Sequence, residues 1–299
     1  MFHTGPLASA IVAQWDRDLE VDPAEVQRAA GSPTGWRLLG AGWDCDAWLA
    51  DESVVWRVPR RAIAIEQLRR EAEIMPIVAP LLPLPVPVPR LVDGHDLPAL
   101  ARHDLVPGRE LAEREGEWAV GKELARFLRV LHSPDIAHRV RDLAVVDPMS
   151  RSDPSKRVPS AHRMLEEVSG LLDVEPLRRI VEQGDGPPLD LGALTHGDLH
   201  PRHVLLKDDG VVSGVIDWGD CCMGSPAVDL AIVTALSPSE RLAFFRVYGE
   251  IDLRLWRHAR LIGAHIGAAL LASDPSGFVG KAARRWLERL IQDHEAVPS

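Results

Sequence analysis

"LTHGDLHPRHVLLKDDGVVSGVIDW", Leu194–Trp218, is the stretch on which the reading of the chain turns. Two β-like runs, "HVLLK" and "VVSGVID", flank Asp208-Asp209-Gly210, and Asp-Gly is a strong hairpin signal. With Asp209-Gly210 as the loop, Asp208 faces Val211 and His203 falls opposite Ile216. A three-residue loop moves that partner by one position. In either register His203 and Asp217 lie side by side at the open end of the hairpin. Asp198, in the turn before His203, enters at the same end. Three side chains able to hold a metal ion or a proton therefore converge by local geometry. A strand-end Asp or a lone His is ordinarily a cap or a turn residue. The joint pattern of His-Gly-Asp, strand, hairpin and terminal Ile-Asp points to a reaction site.

Outside this stretch the composition is that of a globular protein. The 299 residues are 46% hydrophobic and 26% charged, enough for one large domain or two lobes. A formal net charge of -10 argues against a nucleic-acid partner. The longest apolar stretch, "LIGAHIGAALLA", is too short to span a bilayer, so no membrane association is expected. Cys45, Cys221 and Cys222 make no disulfide framework, and the N-terminus lacks a basic leader; a cytoplasmic location is expected. Adjacent Cys221 and Cys222 read as small apolar residues in a packed turn.

Along the chain, "LASAIVAQWDRDL" has helical spacing, followed by three short strands in "WRLLG", "DAWLA" and "SVVWRVP". "AIEQLRREAEIMPIVAPLL" reads as a helix stopped by proline. "LPLPVPVPRLV" must be extended, and "PALARHDLVPG" is a strand ending at a Pro-Gly break. From Gly108 onward the pattern is helical: "GEWAVGKELARFLRVLH", then helices near 160–183, 239–249, 253–273 and 277–293. The hairpin supplies the only clear strands in this part. The expected organisation is an α+β chain with a β-rich N-lobe over residues 1–107 and a helical C-lobe over 108–299, with a cleft between them.

Two phosphate-binding patterns are set aside. "GEWAVGK" matches a P-loop through Lys122, but Glu123 follows where Ser or Thr is required and the run lies inside a helix. "GAGWDC" has Cys45 where a dinucleotide fingerprint needs its third glycine.

Residues 196–217 resemble the catalytic segment of the aminoglycoside phosphotransferase family, which shares the bilobal protein-kinase-like fold. "SPAVDLA" extends the likeness to Ala231, and a weaker likeness runs from Gly40 to about Ala272. The resemblance implies that Asp198 is the catalytic carboxylate, that His203 and Asp217 hold Mg²⁺ (or Mn²⁺), and that His196 buttresses the catalytic loop. It also implies a cation on the third strand held by a Glu of the next helix. The first Lys of the chain is Lys122, so the strand "SVVWRVP" offers Arg57 instead. Alternation puts Arg57 on the face of Val55, opposite Val54, Trp56 and Val58. Glu71 and Glu73 are available on the helix, and the resemblance favours Glu71. Gly40 and Gly42 would sit in the phosphate-covering loop, and the segment Arg102, His103, Asp104 and Leu105 would contact the base.

His203 and Arg57, in place of the commoner Asn and Lys, are similar to the macrolide phosphotransferase branch. That likeness implies transfer of the γ-phosphoryl group of ATP or GTP to a hydroxyl of a small molecule. The acceptor would be an antibiotic, a macrolide before an aminoglycoside, and the reaction would confer resistance. Two other readings stand beside it: a metabolic kinase for a small alcohol, and a pseudokinase-like binding protein without turnover. A monomer or homodimer is expected. From Cys222 onward there are eight Asp plus Glu and nine Lys plus Arg, without the carboxylate excess that a polycationic acceptor would call for.

Overall fold

The computed structural model describes residues 17–31, 35–92 and 99–292. The chain divides into two compact units: Met1–Pro76 with Pro87–Leu105, and Ile77–Val86 with Val106–Ser299. Most of the helix expected over 7–19 lies outside the described residues, and residues 17–22 are irregular.

The first unit is a five-stranded antiparallel sheet with a helix on each face. Its elements are α1 (Pro23–Ala29), β1 (Arg37–Ala41), β2 (Cys45–Ala50), β3 (Val54–Pro59), α2 (Ala62–Val78), β4 (Arg90–Val92) and β5 (Leu100–Asp104), in sheet order β1-β2-β3-β5-β4. Strand alternation sorts the side chains. Trp56 and Val58 of β3 join Leu100 and Val26 of α1 in one cluster, while Ala101 and Cys45 meet Ala64 and Leu68 of α2 in another. Leu68 is fully buried, which stabilises the fold by about 1.5–3 kcal/mol relative to an exposed Leu. Pro76 lies in the last turn of α2, so the helix runs only two residues further before the 3₁₀ turn Ala79–Leu81.

The second unit is mainly helical. It comprises β6 (Arg109–Glu110), α3 (Gly121–Leu131), α4 (Pro134–Val140), α5 (Pro154–Glu167), α6 (Glu175–Gln183), β7 (Ala193–Thr195), β8 (Val204–Leu206), β9 (Val212–Val215), β10 (Cys222–Gly224), α7 (Ala227–Leu230), α8 (Pro238–Tyr248), α9 (Leu253–Ser273) and α10 (Phe278–Gln292). Helix α9 runs through its centre against α5, α6 and α10. Trp256 and Trp286 are buried in this core, and the Trp286 indole donates to Thr234 Oγ1 at 2.7 Å.

The structure departs from the sequence-based expectation in four respects. Helix α3 starts at Gly121 rather than Gly116, with the Gly121 N–H donated to Glu240 Oε2 at 2.9 Å. The helical stretch near 160–183 is two helices, α5 and α6. The short helix α4 carries its own start signal, Ser133-Pro134, with Ser133 Oγ accepting from the Ile136 N–H. Beside the hairpin there are further strand pieces, β6, β7 and β10. These span two or three residues each, too few to express a period-2 pattern. No helix among the described residues is long and apolar enough to cross a membrane.

Candidate active site

The hairpin β8–β9 closes through a three-residue loop. Lys207 and Val211 are joined by a backbone hydrogen bond of 2.9 Å, and a bulge between Leu205 and Leu206 restores the register Val204–Val215. At its open end Ile216 donates to His203 O at 2.9 Å, so His203 and Asp217 are neighbours. Asp217 has φ 67, a left-handed backbone that Asp tolerates better than most residues, and His203 Nε2 lies 3.3 Å from its Oδ2. Asp198 completes the group: its Oδ2 is 3.9 Å from His203 Nδ1 and 3.5 Å from His200 Nε2.

Hydrogen bonds fix the tautomers of His203 and His196. His203 Nδ1 is 2.8 Å from the Asp198 carbonyl, which can only accept, so Nδ1 carries the proton. Burial, then His200, push the His203 pKa down, with Asp217 and Asp198 opposing. The neutral ring therefore turns a lone pair at Nε2 toward the Asp217 carboxylate. Two electron-rich atoms facing each other fit a shared cation between them. Asp198, His200 and His203 also offer ligand atoms within 4.8 Å of one another. His196 has the complementary tautomer. Its Nε2 is 2.9 Å from the Ile216 carbonyl, so Nε2 donates there, and Nδ1 accepts from the Asp198 N–H at 3.3 Å. It is fully buried against Trp218, with ring centroids 4.8 Å apart, and burial lowers its pKa. His196 thus ties the end of β9 to the backbone of Asp198.

The turn itself is held from below. The buried carboxylate of Asp229 accepts the His196 N–H at 2.8 Å and the Gly197 N–H at 3.0 Å, and it also meets His132 Nε2 at 3.1 Å. Gly197 has φ 87, and a Cβ there would press on the main chain of Asp220. Only glycine suits both constraints. Burial works to raise the Asp198 pKa, but His200, Arg151 and His203 together hold it well below the usual carboxylate range. Arg151 Nη2 is 3.9 Å from Asp198 Oδ1 and 2.6 Å from Asp220 Oδ2. Asp229, Asp220 and Arg151 escaped the sequence reading. "IDWGD" and "SPAVDLA" contain the two acids, but nothing local marks Arg151.

In the first unit, Arg57 Nη1 is 2.5 Å from Oε2 of the buried Glu71; Glu73 takes no part in this pair. Gly42 lies in the turn after β1, its N–H donated to Cys45 O at 2.9 Å, where a Cβ would come as close as 2.9 Å to that carbonyl. Gly40 stands in open space beside an irregularity in β1. Arg102, His103 and Asp104 pair with β3, and the Arg102 guanidinium lies 5.9 Å from the Trp56 ring. The Leu105 N–H is already donated to Ser53 O at 2.7 Å, so the backbone group it could offer a base is its carbonyl.

An antiparallel sheet with an Arg–Glu pair and a helical unit with a His-Gly-Asp loop and Asp-ending hairpin together define a kinase-like α+β phosphotransfer fold. The chain belongs to the phosphotransferase enzyme family (APH), whose model matches residues 35–262. Solved structures agree on the fold. The GDP complex of wild-type aminoglycoside 2'-phosphotransferase-IIIa is 19% identical, with TM-score 0.63, covering 91% of this chain and 97% of that one. The apoenzyme of macrolide 2'-phosphotransferase MphH from Brachybacterium faecium is 21% identical, with TM-score 0.57, covering 93% and 95%. The streptomycin–ATP–APH(2")-IIa ternary complex is 18% identical, with TM-score 0.56, covering 94% and 99%. A curated relative, the uncharacterized protein YcbJ of Bacillus subtilis (strain 168), is 34% identical over 65 residues; the match spans 21% of either chain.

Proposed function

We propose that this phosphotransferase moves the γ-phosphoryl group of ATP or GTP to a hydroxyl of a small molecule. The observation that carries the reading is the convergence of Asp198, His203 and Asp217 at the open end of one hairpin. The strongly ionised Asp198 is a poor base for an ordinary alcohol. Its task is to orient the hydroxyl, accepting its hydrogen bond, and to take the proton only once the oxygen has bonded to phosphorus and become acidic. Asp217 and neutral His203 Nε2 would hold the divalent cation, Mg²⁺ or Mn²⁺. When bound it supplies positive charge to the phosphate oxygens. Arg57, held by Glu71, would bind phosphate oxygens through its planar fork. The turn at Gly40–Gly42 and the segment 102–105 would complete the nucleotide contacts, with residues 1–107 acting as the nucleotide-binding lobe and 108–299 carrying catalysis.

The motif likeness makes a macrolide the first antibiotic to assay and an aminoglycoside the second, as would suit a resistance enzyme. A metabolic alcohol is the second reading, and Arg151, 3.9 Å from Asp198, favours it over a polycationic acceptor. The deciding experiment is a single-turnover assay with labelled ATP or GTP, Mg²⁺ and a panel of macrolides, aminoglycosides and small alcohols. Transfer abolished by Asp198→Asn supports the reading. Nucleotide binding with no transfer to any acceptor or to water would make the protein a pseudokinase-like binder.

A further inference from the structure

The loop 145–153 carries Arg151 to the turn at Asp198, and its main chain is fixed from several sides. Asp147 N donates to Met223 O at 2.9 Å and Met223 N to Val145 O at 2.8 Å, latching the loop to β10. Asp147 and Ser150 both have left-handed backbones, φ 31 and φ 50, a conformation that costs energy in residues with a side chain. The Asp147 carboxylate accepts the N–H groups of Arg151 and Ser152, each at 2.8 Å. The Arg151 carbonyl accepts from His258 Nε2 of α9 at 2.9 Å, and Ser152 Oγ accepts from the Ser225 N–H at 3.0 Å. None of these contacts uses the Arg151 side chain.

That side chain is turned to two acids. Nη2 donates to Asp220 Oδ2 at 2.6 Å and lies 3.9 Å from Asp198 Oδ1, while Nη1 is buried and meets no acceptor among the described residues. Burial opposes the charge, but Asp220 and then Asp198 hold the Arg151 pKa above its ordinary value. A guanidinium with one arm left unsatisfied is placed for its charge rather than to complete a hydrogen-bond network.

The distance of 3.9 Å decides what that charge can do. It is too long for a hydrogen bond, yet short enough for strong attraction where the Arg151 side chain is only 15% exposed. Arg151 therefore steadies Asp198 Oδ1 without occupying its lone pairs. Asp220 takes the short hydrogen bond and keeps Arg151 from closing on Asp198. The other carboxylate oxygen is held separately. His200 Nδ1 accepts from the Arg202 N–H at 3.3 Å, so Nε2 is the donor, 3.5 Å from Asp198 Oδ2.

We propose that Arg151 is a positioning residue for phosphoryl transfer, held back by Asp220 so that its charge fixes the Asp198 carboxylate with Oδ1 free to accept the hydrogen bond of the acceptor hydroxyl. This inference rests on the phosphotransfer reading and adds a residue to its machinery.

The test uses the full chain with Mg²⁺ and either ATP or GTP. Steady-state turnover is read by nucleotide hydrolysis, with water as the acceptor, and by transfer to any acceptor of the panel above. R151M, R151K and R151M/D220N are compared with wild type. The double variant removes both members of the Arg151–Asp220 pair and strands no charge, so it decides the matter if R151M does not fold. In R151M and in R151M/D220N, kcat should fall at least ten-fold with the nucleotide KM within two-fold of wild type, and R151K should lie between. A residue that only supports the fold would behave differently: the double variant would regain wild-type kcat, and that result overturns the inference. So does a loss smaller than ten-fold in a folded R151M, or a nucleotide KM that rises as far as kcat falls. Wild-type protein that neither hydrolyses nucleotide nor transfers phosphate, or activity undiminished by Asp198→Asn, would instead overturn the phosphotransfer reading.

Discussion

The imidazole of His203 donates its Nδ1 proton to the main-chain carbonyl of Asp198 at 2.8 Å, and this one hydrogen bond decides what the opposite nitrogen offers. Nε2 is left as an acceptor, 3.3 Å from the Asp217 carboxylate. The same side chain therefore fixes the turn at Asp198 and would complete the proposed cation-binding pair. We expect His203→Ala to raise the half-saturating Mg²⁺ concentration at least ten-fold, the usual scale for a lost ligand or its support. His203→Asn should restore Mg²⁺-dependent turnover and reduce the preference for Mn²⁺, because a carbonyl oxygen is a harder donor than an imidazole nitrogen. Metal titrations of initial rate decide it; an unchanged Mg²⁺ requirement in the Ala variant would remove His203 from the metal site.

Asp198→Asn keeps the size of the side chain but neither its charge nor its ability to take a proton. Turnover should fall by roughly two orders of magnitude or more, with circular dichroism unchanged. A folded variant of near-normal kcat would show that this carboxylate is not the group that handles the acceptor.

Arg57 and Glu71 should behave as one unit. Glu71→Gln leaves the guanidinium in place without its carboxylate, and Arg57→Ala removes the cation itself. Each should raise the nucleotide KM and lower kcat, and the double variant should lose little more than Arg57→Ala alone. Fully additive losses in that double-mutant cycle would mean that the 2.5 Å pair is not how Arg57 acts.

Asp229 is a buried hub rather than a reacting group. Replacing it by Ala strands the N–H groups of His196 and Gly197 and removes the contact with His132. Buried hydrogen bonds to a charged group contribute about 1.5–3 kcal/mol each, so urea unfolding should report a loss of at least about 3 kcal/mol. A loss below about 1 kcal/mol would show that water or a neighbouring group replaces the carboxylate.

Acid should destabilise the fold earlier than carboxylates alone would require. His258 and His265 lie in the second unit, and burial is the largest cause lowering the pKa of each, His265 to about 3. Above about pH 6.5 both are neutral whether folded or unfolded, and neither adds pH dependence. Below it the unfolded chain takes up protons that the folded protein refuses, so stability falls by about 1.4 kcal/mol per pH unit for His265, and His258 adds to the decline in the same direction. Urea midpoints should be flat from pH 7.5 to 6.5 and decline toward pH 5. His258→Gln should make that decline shallower. An equally steep decline in the variant would remove His258 from the cause.

The residues themselves carried a good deal of this. The Asp-Gly turn and the β-like runs beside it specify a hairpin register that sets His203 beside Asp217, because strand pairing is periodic and the turn is local. The structure keeps that register at the open end even though a bulge and a three-residue loop replace the two-residue turn. Arg57 was legible as the cation of its strand because no Lys precedes Lys122, and alternation put it on the face that α2 covers. The pieces β6, β7 and β10 were not legible, since two or three residues show no period.

What the chain order alone determined is therefore the family motif, the α+β pattern and those side chains whose partners lie within one hairpin or one strand-helix step. Tertiary structure decided the rest. Arg151 reaches Asp220 across 69 positions, Asp229 caps the turn from 32 and 33 positions away, and Ser160 meets His265 across 105. An Arg in a loop or an Asp in a short helix has no periodic signal to mark it. Its environment, and with it its charge and its partner, is set only when helices distant in sequence are brought together by burial of their apolar faces.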